Sequence, residues 1–297
     1  MAASDRVHIV DVSLRDGLQN EAKFLSVQQR AELARGLVQA GVRRMEIGAF
    51  VREDRVPQMA GTYDLVQALK DLPAEIRTSV LVPNELGLQR AEQSGARELA
   101  VFASCSEKFS QANINCSIQE SLERFRPVMA RARKRRWPVR AYLSCCFGCP
   151  YEGDVDPRTS FGLSQKLLEM GCFEVSLGDT IGVASPRDVD RVLRSFKGRI
   201  SFRKLAGHFH DTRGTAIANI AKSLEYGVRV FDASLGGLGG CPYAPGAAGN
   251  VALEDVVYFF QRMHLKCDLE LKDLIPLHRK LAVWMGKLLP SKVAATF

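Results

Sequence analysis

His208-Phe209-His210 is the stretch of this 297-residue chain with the plainest chemical content. It lies within Leu205 to Thr212, which reads as a strand end. Side chains alternate along a strand, so the two imidazoles share a face while Phe209 takes the other. They stand roughly 7 Å apart along the strand axis at about 3.3 Å per residue, close enough to turn toward one ion. Imidazole nitrogen suits several divalent metals, and a neighbouring carboxylate shifts the preference toward Mg, Mn, Fe or Zn. Spacing alone is equally compatible with two polar residues at an exposed strand end, with Asp211-Thr212 capping the next helix.

The elements that must position this pair form a regular series. Apolar strand patterns occur at Val7–Val12, Arg43–Ile47, Thr78–Val82, Glu98–Ala103, Val139–Leu143, Cys172–Leu177 and Val228–Ser234, with one more before the last that ends in the His208/His210 pair. Helical patterns separate them, with Ser26, Asn84 and Ser185-Pro186 as start signals and Gly41 as a stop. Long loops are expected over 104–117 and from 144 to Pro157, a helix over Gln58–Lys70, and two helices at the end of the chain. Eight strand–helix alternations without a linker predict parallel strands with crossover helices. At this length they imply a (β/α)8 TIM barrel with extra C-terminal helices, as one catalytic domain over 1–297. The helical tail is expected over about 265–297. An open doubly wound sheet would carry a glycine-rich loop after its first strand, and here that loop is charged.

A barrel gathers its chemistry at the C-terminal ends of its strands. Strand one is followed by Arg15, Asp16, Gln19 and Glu21, and strand two holds Glu46. Strand six leads to Asp179 and Thr180, and strand seven to His208 and His210. The glycine-rich stretch 236–250 after strand eight contains Cys241 and Asn250. Asp16, His208, His210 and Asn250 make a mixed oxygen–nitrogen set that favours Mg²⁺ or Mn²⁺ over a closed zinc site. Arg15, beside a candidate ligand, can stabilise negative charge developing on an oxygen, with Glu46 holding it in place.

Six motifs resemble the 3-hydroxy-3-methylglutaryl-CoA lyases: SLRDGLQNE (13–21), SEKFSQANINCS (106–117), GCPYEG (148–153), SLGDTIG (176–182), HFHDT (208–212) and GGLGGCPYAPGAAGN (236–250). They follow the family order. The first and fifth also resemble the wider barrel metal-lyase superfamily, which includes the isopropylmalate synthases. The resemblance implies Asp16, His208 and His210 as metal ligands, with Asn250 completing the set. It implies Arg15 as a catalytic and substrate-binding arginine, Cys241 as a catalytic cysteine on a mobile loop, and Gln19, Glu46 and Asp179 as supporting residues. The activity implied is cleavage of a 3-hydroxyacyl-CoA thioester with a divalent cation, in a homo-oligomer (dimer or tetramer). The competing functions are a condensing enzyme of the isopropylmalate-synthase type and a non-catalytic metal or CoA-ester sensor. Arg52-Glu-Asp-Arg55 replaces the usual Ser-Pro-Lys-Trp, Arg213 replaces an aromatic, and the tail after Met263 diverges. These departures leave the acyl group open.

Composition bounds the rest. A formal charge of +8 is densest over 124–140, where a basic helix end without interleaved aromatics reads as a solvated face, so no nucleic-acid partner is expected. The excess positive charge also suits an anionic substrate. No apolar run approaches the ~18 residues of a membrane span. The polar N-terminal residues and eight scattered cysteines fit a cytoplasmic protein with reduced thiols. Cys146-x-x-Cys149 lacks the second pair a zinc clip needs, and His8, His264 and His278 read as structural or solvated.

Overall fold

The computed structural model describes residues 5–241 and 244–297, and the side chains of 240–248 lie outside that description. Among the described residues, eight parallel strands close in sequence order into a barrel. They are β1 (His8–Asp11), β2 (Arg44–Ala49), β3 (Arg77–Leu81), β4 (Glu98–Ser104), β5 (Val139–Ser144), β6 (Glu174–Asp179), β7 (Leu205–Phe209) and β8 (Val230–Ala233). The barrel shuts where β1 pairs with β8, Ile9 opposite Phe231 and Asp11 opposite Ala233. Crossover helices surround it: α1 (Val27–Gln39), α2 (Thr62–Ala68), α3 (Glu85–Ser94), α4 (Glu107–Ile114), α5 (Ile118–Arg135), α6 (Pro157–Met170), α7 (Pro186–Phe196) and α8 (Ala216–Tyr226). Helices α9 (Leu253–Arg262) and α10 (Leu271–Met285) follow the last strand. No described helix is long and apolar enough to cross a membrane.

Local sequence explains the punctuation. Ser26 and Gln29 form a reciprocal capping box that starts α1. The helix turns out of its axis at Gly41, whose φ of +104° and contact with the Asp268 carbonyl leave no room for a Cβ. Three expectations need correction. The segment over 104–117 is not a loop: Ser106 accepts the Phe109 N–H and caps the eight-residue α4. The helix expected over Gln58–Lys70 is two pieces, a 3₁₀ turn at Pro57–Met59 and α2, parted by Gly61 at φ +72°. The glycine-rich stretch contains a short antiparallel pair, β9 (Gly240–Cys241) and β10 (Ala244–Ala248).

The barrel interior is unusual in the layer beneath the rim. Branched aliphatics commonly fill this layer, but here Arg140 stands opposite Glu174 in the β5–β6 register, and His208 opposite Asp232 in β7–β8. All four are buried. Buried charge persists only when paired, and the register supplies the pairs.

Candidate active site

Arg15 and Asp16 leave β1 in a π-helical turn, Ser13–Gly17, a wide-turn form often found at functional sites. The turn is pinned at its start: Asp11 accepts the Ser13 N–H at 3.0 Å and the Ser13 hydroxyl at 2.8 Å, and that same hydroxyl accepts the Leu235 N–H at 2.7 Å. Consecutive residues in a helical turn diverge by about 100°. Arg15 therefore reaches sideways to the Glu46 carboxylate through Nε, while its Nη1 donates to Asp16 Oδ1 at 2.7 Å. The Tyr142 ring centroid is 5.0 Å from the Arg15 guanidinium and 4.8 Å from that of Arg140.

Asp16 meets the histidine pair. Its Oδ2 lies 3.8 Å from His208 Nε2 and 3.6 Å from His210 Nε2, and the two Nε2 atoms are 3.2 Å apart. One donor atom from each of the three side chains fits within 4.8 Å of the others. The tautomer of His208 follows from its other edge. Nδ1 faces the Asp232 carboxylate at 3.2 Å, and that carboxylate cannot donate, so Nδ1 carries the hydrogen and Nε2 presents a lone pair. An acid and two converging imidazoles, one with its tautomer fixed, make a donor set that fits a divalent cation. His210 lies one step beyond β7, where its backbone bridges to Asn250.

Asn250 completes the corner in an orientation the sequence did not reveal. Its Nδ2 donates to Asp16 Oδ2 at 2.8 Å and to the Leu238 carbonyl at 3.3 Å. The amide nitrogen, not its oxygen, therefore faces the acid. Gln19 lines the cavity, and Glu46 sits fully buried behind Arg15 with Oε1 unpartnered among the described residues. Asp179 is engaged with its own loop: its two oxygens accept the Val183 and Ala184 N–H groups at 3.0 and 3.1 Å. The Cys241 side chain lies outside the described residues, although its backbone pairs with Ala244.

Local fields follow from this packing. Burial opposes charge on Asp16, yet the Arg15 guanidinium, a His210 hydrogen bond and both imidazoles outweigh it and hold the carboxyl well below the usual carboxylate range. Burial pushes the His208 imidazole down, but the Asp232 hydrogen bond and the Asp16 charge reverse that and raise it. Burial raises Glu46 against the opposing pull of Arg15. Asp232 is lowered despite burial, chiefly by Arg140.

A cavity of about 350 Å³ opens over these groups, at the C-terminal ends of the strands. Its inner end is Arg15, Asp16, His208 and His210, and an apolar wall includes Leu81, Phe102 and Phe109. A roomier groove of about 600 Å³ lies between α5 and α6, on outer helix faces that no strand end reaches. Reading by sequence missed Asp232, Arg140, Ser176 and Tyr142. Each lies inside a strand of a sheet covered on both faces, where the sequence does not say which face a polar residue takes. Among the described residues the buried tyrosine hydroxyl has no hydrogen-bond partner, and Tyr142 lines the cavity. The discounted cysteines are packed thiols: Cys146 donates to the Leu143 carbonyl at 3.0 Å and Cys149 to the Ser106 hydroxyl at 2.9 Å. His278 is structural, 2.7 Å from Glu254.

The HMGL-like family model matches residues 6–280. The chain belongs to the HMGL-like family. Among relatives in that family, the 3-hydroxy-3-isohexenylglutaryl-CoA/hydroxymethylglutaryl-CoA lyase of Pseudomonas aeruginosa is 45% identical over 97% of this chain and 96% of its own length. The hydroxymethylglutaryl-CoA lyase of Pseudomonas mevalonii is 44% identical over 94% and 93%. Among solved structures, an HMG-CoA lyase from A. baumannii, in complex with coenzyme A and 3-methylmalate, superposes with a TM-score of 0.94 at 33% identity, covering 99% of this chain and 96% of that one.

Proposed function

We propose that this HMGL-like chain is a divalent-cation-dependent carbon–carbon lyase that splits 3-hydroxy-3-methylglutaryl-CoA into acetyl-CoA and acetoacetate. The observation that carries the reading is the convergence of Asp16, His208 and His210 beside Arg15 at one end of a barrel-rim cavity. Relatives that match over nearly the whole chain are lyases, and neither the condensing-enzyme nor the sensor reading draws support from them.

A divalent cation held by Asp16, His208 and His210, with Mg²⁺ or Mn²⁺ as the choice that fits the donor set, would acidify a chelated C3 hydroxyl. Asn250 steadies Asp16 in the observed orientation and becomes a fourth ligand if its amide turns over. The hydroxyl proton passes to a basic atom of the Asp16–His208–His210 corner. As the C2–C3 bond breaks, negative charge gathers on the thioester oxygen of the departing acetyl-CoA. Arg15 answers it: Nε is tied to Glu46 and Nη1 to Asp16, which leaves Nη2 for that oxygen. Gln19 contacts the substrate from the cavity wall. Asp179 holds the loop after β6 in shape. The Cys241 thiol returns a proton to the enolate carbon, and glycines 236, 237, 239 and 240 let its loop close and exclude water. The chain works as one catalytic domain in a homo-oligomer, a dimer or tetramer, which sedimentation would count.

The apolar wall favours a second substrate, an analogue whose 3-methyl is replaced by a longer alkyl or alkenyl branch. The test is direct. Protein stripped by a chelator is supplied with Mg²⁺ or Mn²⁺, and acetyl-CoA and acetoacetate are measured from hydroxymethylglutaryl-CoA and the longer acid product from the branched analogue. Metal-restored turnover of either ester is expected. Absence of cleavage of both in metal-loaded, folded protein overturns the reading.

A further inference from the structure

Arg52-Glu-Asp-Arg55, the four residues nearest the rim that depart from the lyase pattern, form a turn between β2 and α2 whose two arginines both line the cavity. The two are treated differently by their surroundings. Asp54 neutralises Arg52 with a bidentate grip, Nε to Oδ1 at 3.0 Å and Nη2 to Oδ2 at 2.6 Å. That grip and the backbone bonds from Arg55 N and Val56 N to the Arg52 carbonyl, at 3.1 and 3.0 Å, close the turn. Pro57 then fixes the chain direction. Arg55 is left at the exposed end of the cavity, its backbone held and its guanidinium without an acidic side-chain partner among the described residues.

The exposed Arg55 guanidinium lines the cavity, makes no ion pair among the described residues and feels Asp54 as a neighbour already gripped by Arg52, so its donors are open to an anion. A planar fork of donors matches a phosphate in two parallel hydrogen bonds. If the acyl-CoA reading above holds, on which this inference rests, the substrate brings two kinds of anion. Its distal carboxylate would be taken up at the inner end, by the corner of Asp16, His208 and His210 that would hold the cation. Its phosphates sit at the far end of the pantetheine arm, in the direction of the open mouth. We propose that Arg55 anchors a phosphate of the nucleotide portion of the acyl-CoA, with Asp54 and Arg52 bracing the turn that presents it. Arg55 is thus a specificity-determining residue for this chain's handle, not for its acyl group.

The experiment compares three thioesters of the same acid: the CoA ester, the 3′-dephospho-CoA ester and the pantetheine ester, which carries no phosphate. With R55A, kcat/KM for the CoA ester is expected to fall on the order of tenfold, mainly through KM, as for loss of one charge-assisted contact. The pantetheine ester should lose much less, so the preference for CoA over pantetheine shrinks by that factor. R55K should recover part of it, and added salt should erode the parental preference. An R55A effect that persists on the dephospho ester places the contact at the pyrophosphate, and one that vanishes there places it at the 3′-phosphate. Equal losses on CoA and pantetheine esters, or no loss on either, overturn the proposal. Calorimetry of CoA against pantetheine on parent and R55A reads the same contact without turnover. A parent that cleaves no ester would therefore sink the lyase reading, while the phosphate contact is still decided by binding.

Discussion

Two clusters of charge lie inside this barrel, and they differ in how completely they are satisfied. The cluster nearer the N-terminal strand ends joins Arg44, Glu174, Arg140 and Asp232. Glu174 Oε1 accepts from Arg44 at 2.8 Å and Arg140 at 2.7 Å, and its Oε2 accepts from Arg44 at 3.3 Å. Asp232 takes Arg140 in a fork at 2.7 and 3.1 Å and the Ser176 hydroxyl at 2.6 Å. Every carboxylate oxygen there is engaged, and Arg44 Nε is a buried donor left without a partner among the described residues. In the rim cluster of Arg15, Asp16, Glu46 and the two histidines, Glu46 Oε1 and the nearby Tyr142 hydroxyl are buried without partners among the described residues. Buried carboxylates whose oxygens are all engaged fix geometry, whereas one with a bare oxygen awaits something else to satisfy it. His208 belongs to both, with Nδ1 in the closed cluster and Nε2 in the open one. The closed cluster is the mount and the open one is the tool.

The sharpest way to break that division is to remove charge from the open side. D16N takes away the one acid in the candidate metal corner. Affinity for Mn²⁺, followed by the paramagnetic signal of the free ion, should fall steeply, and turnover should drop by roughly three orders of magnitude or more. Folding should be little affected, because Asp16 is partly exposed. A D16N protein that binds Mn²⁺ as the parent does would remove Asp16 from the site.

R15K should come next. Lysine keeps the charge but cannot bridge Glu46 and Asp16 while offering a third donor. Metal binding should survive and kcat should fall by about 3–4 kcal/mol in barrier terms, the scale for loss of a preorganised donor to a developing oxyanion. Near-parental kcat would make Arg15 a structural bridge only.

A paired comparison then separates mount from tool. D232N and E174Q each remove one carboxylate from the closed cluster, and each should cost on the order of 3 kcal/mol in denaturant unfolding, since Arg140 is left with one acidic partner. Only D232N touches His208. It should also weaken metal binding about 10–100-fold, as loss of a partner behind a ligating histidine does. Equal metal loss in E174Q would show that the two clusters are one.

How much of this was legible in the sequence depends on where a residue sits relative to its strand. Arg15, Asp16 and His208 stand at or just beyond strand ends, and the alternation of eight units was enough to send them to one rim. Asp232, Arg140 and Glu174 are inside strands, and a charge in an apolar strand gives no sign of facing inward until β1 meets β8 and an interior exists. Helix α4 was missed because eight residues leave a weak period, although Ser106 with Glu107 after it was a usable start signal. The amide orientation of Asn250 depends on Leu238 and Asp16 converging on it, contacts separated by 12 and 234 positions that no local pattern encodes.

The last effect expected, one on stability alone, lies at the joint that positions the open cluster. Asp11, fully buried at the end of β1, has its carboxyl pushed up to about 7. Burial is the main cause, and the two Ser13 hydrogen bonds offset it only in part. The folded chain therefore keeps a proton that the unfolded chain releases near its ordinary value. Between about pH 4 and pH 7 the unfolded state binds fewer protons, so this group's contribution to stability is full at the acid end. It is lost as pH rises to about 7, at up to about 1.4 kcal/mol per pH unit, and is level above that. D11N removes the titration. Urea unfolding of parent and D11N at several pH values across this window should show the parent losing stability more steeply, with the two curves running parallel above about pH 7.5. Parallel curves throughout would mean that Asp11 is ionised when folded and that the Ser13 donors suffice to hold its charge. The turn bearing Arg15 and Asp16 would then be anchored by a carboxylate that does not titrate in this range.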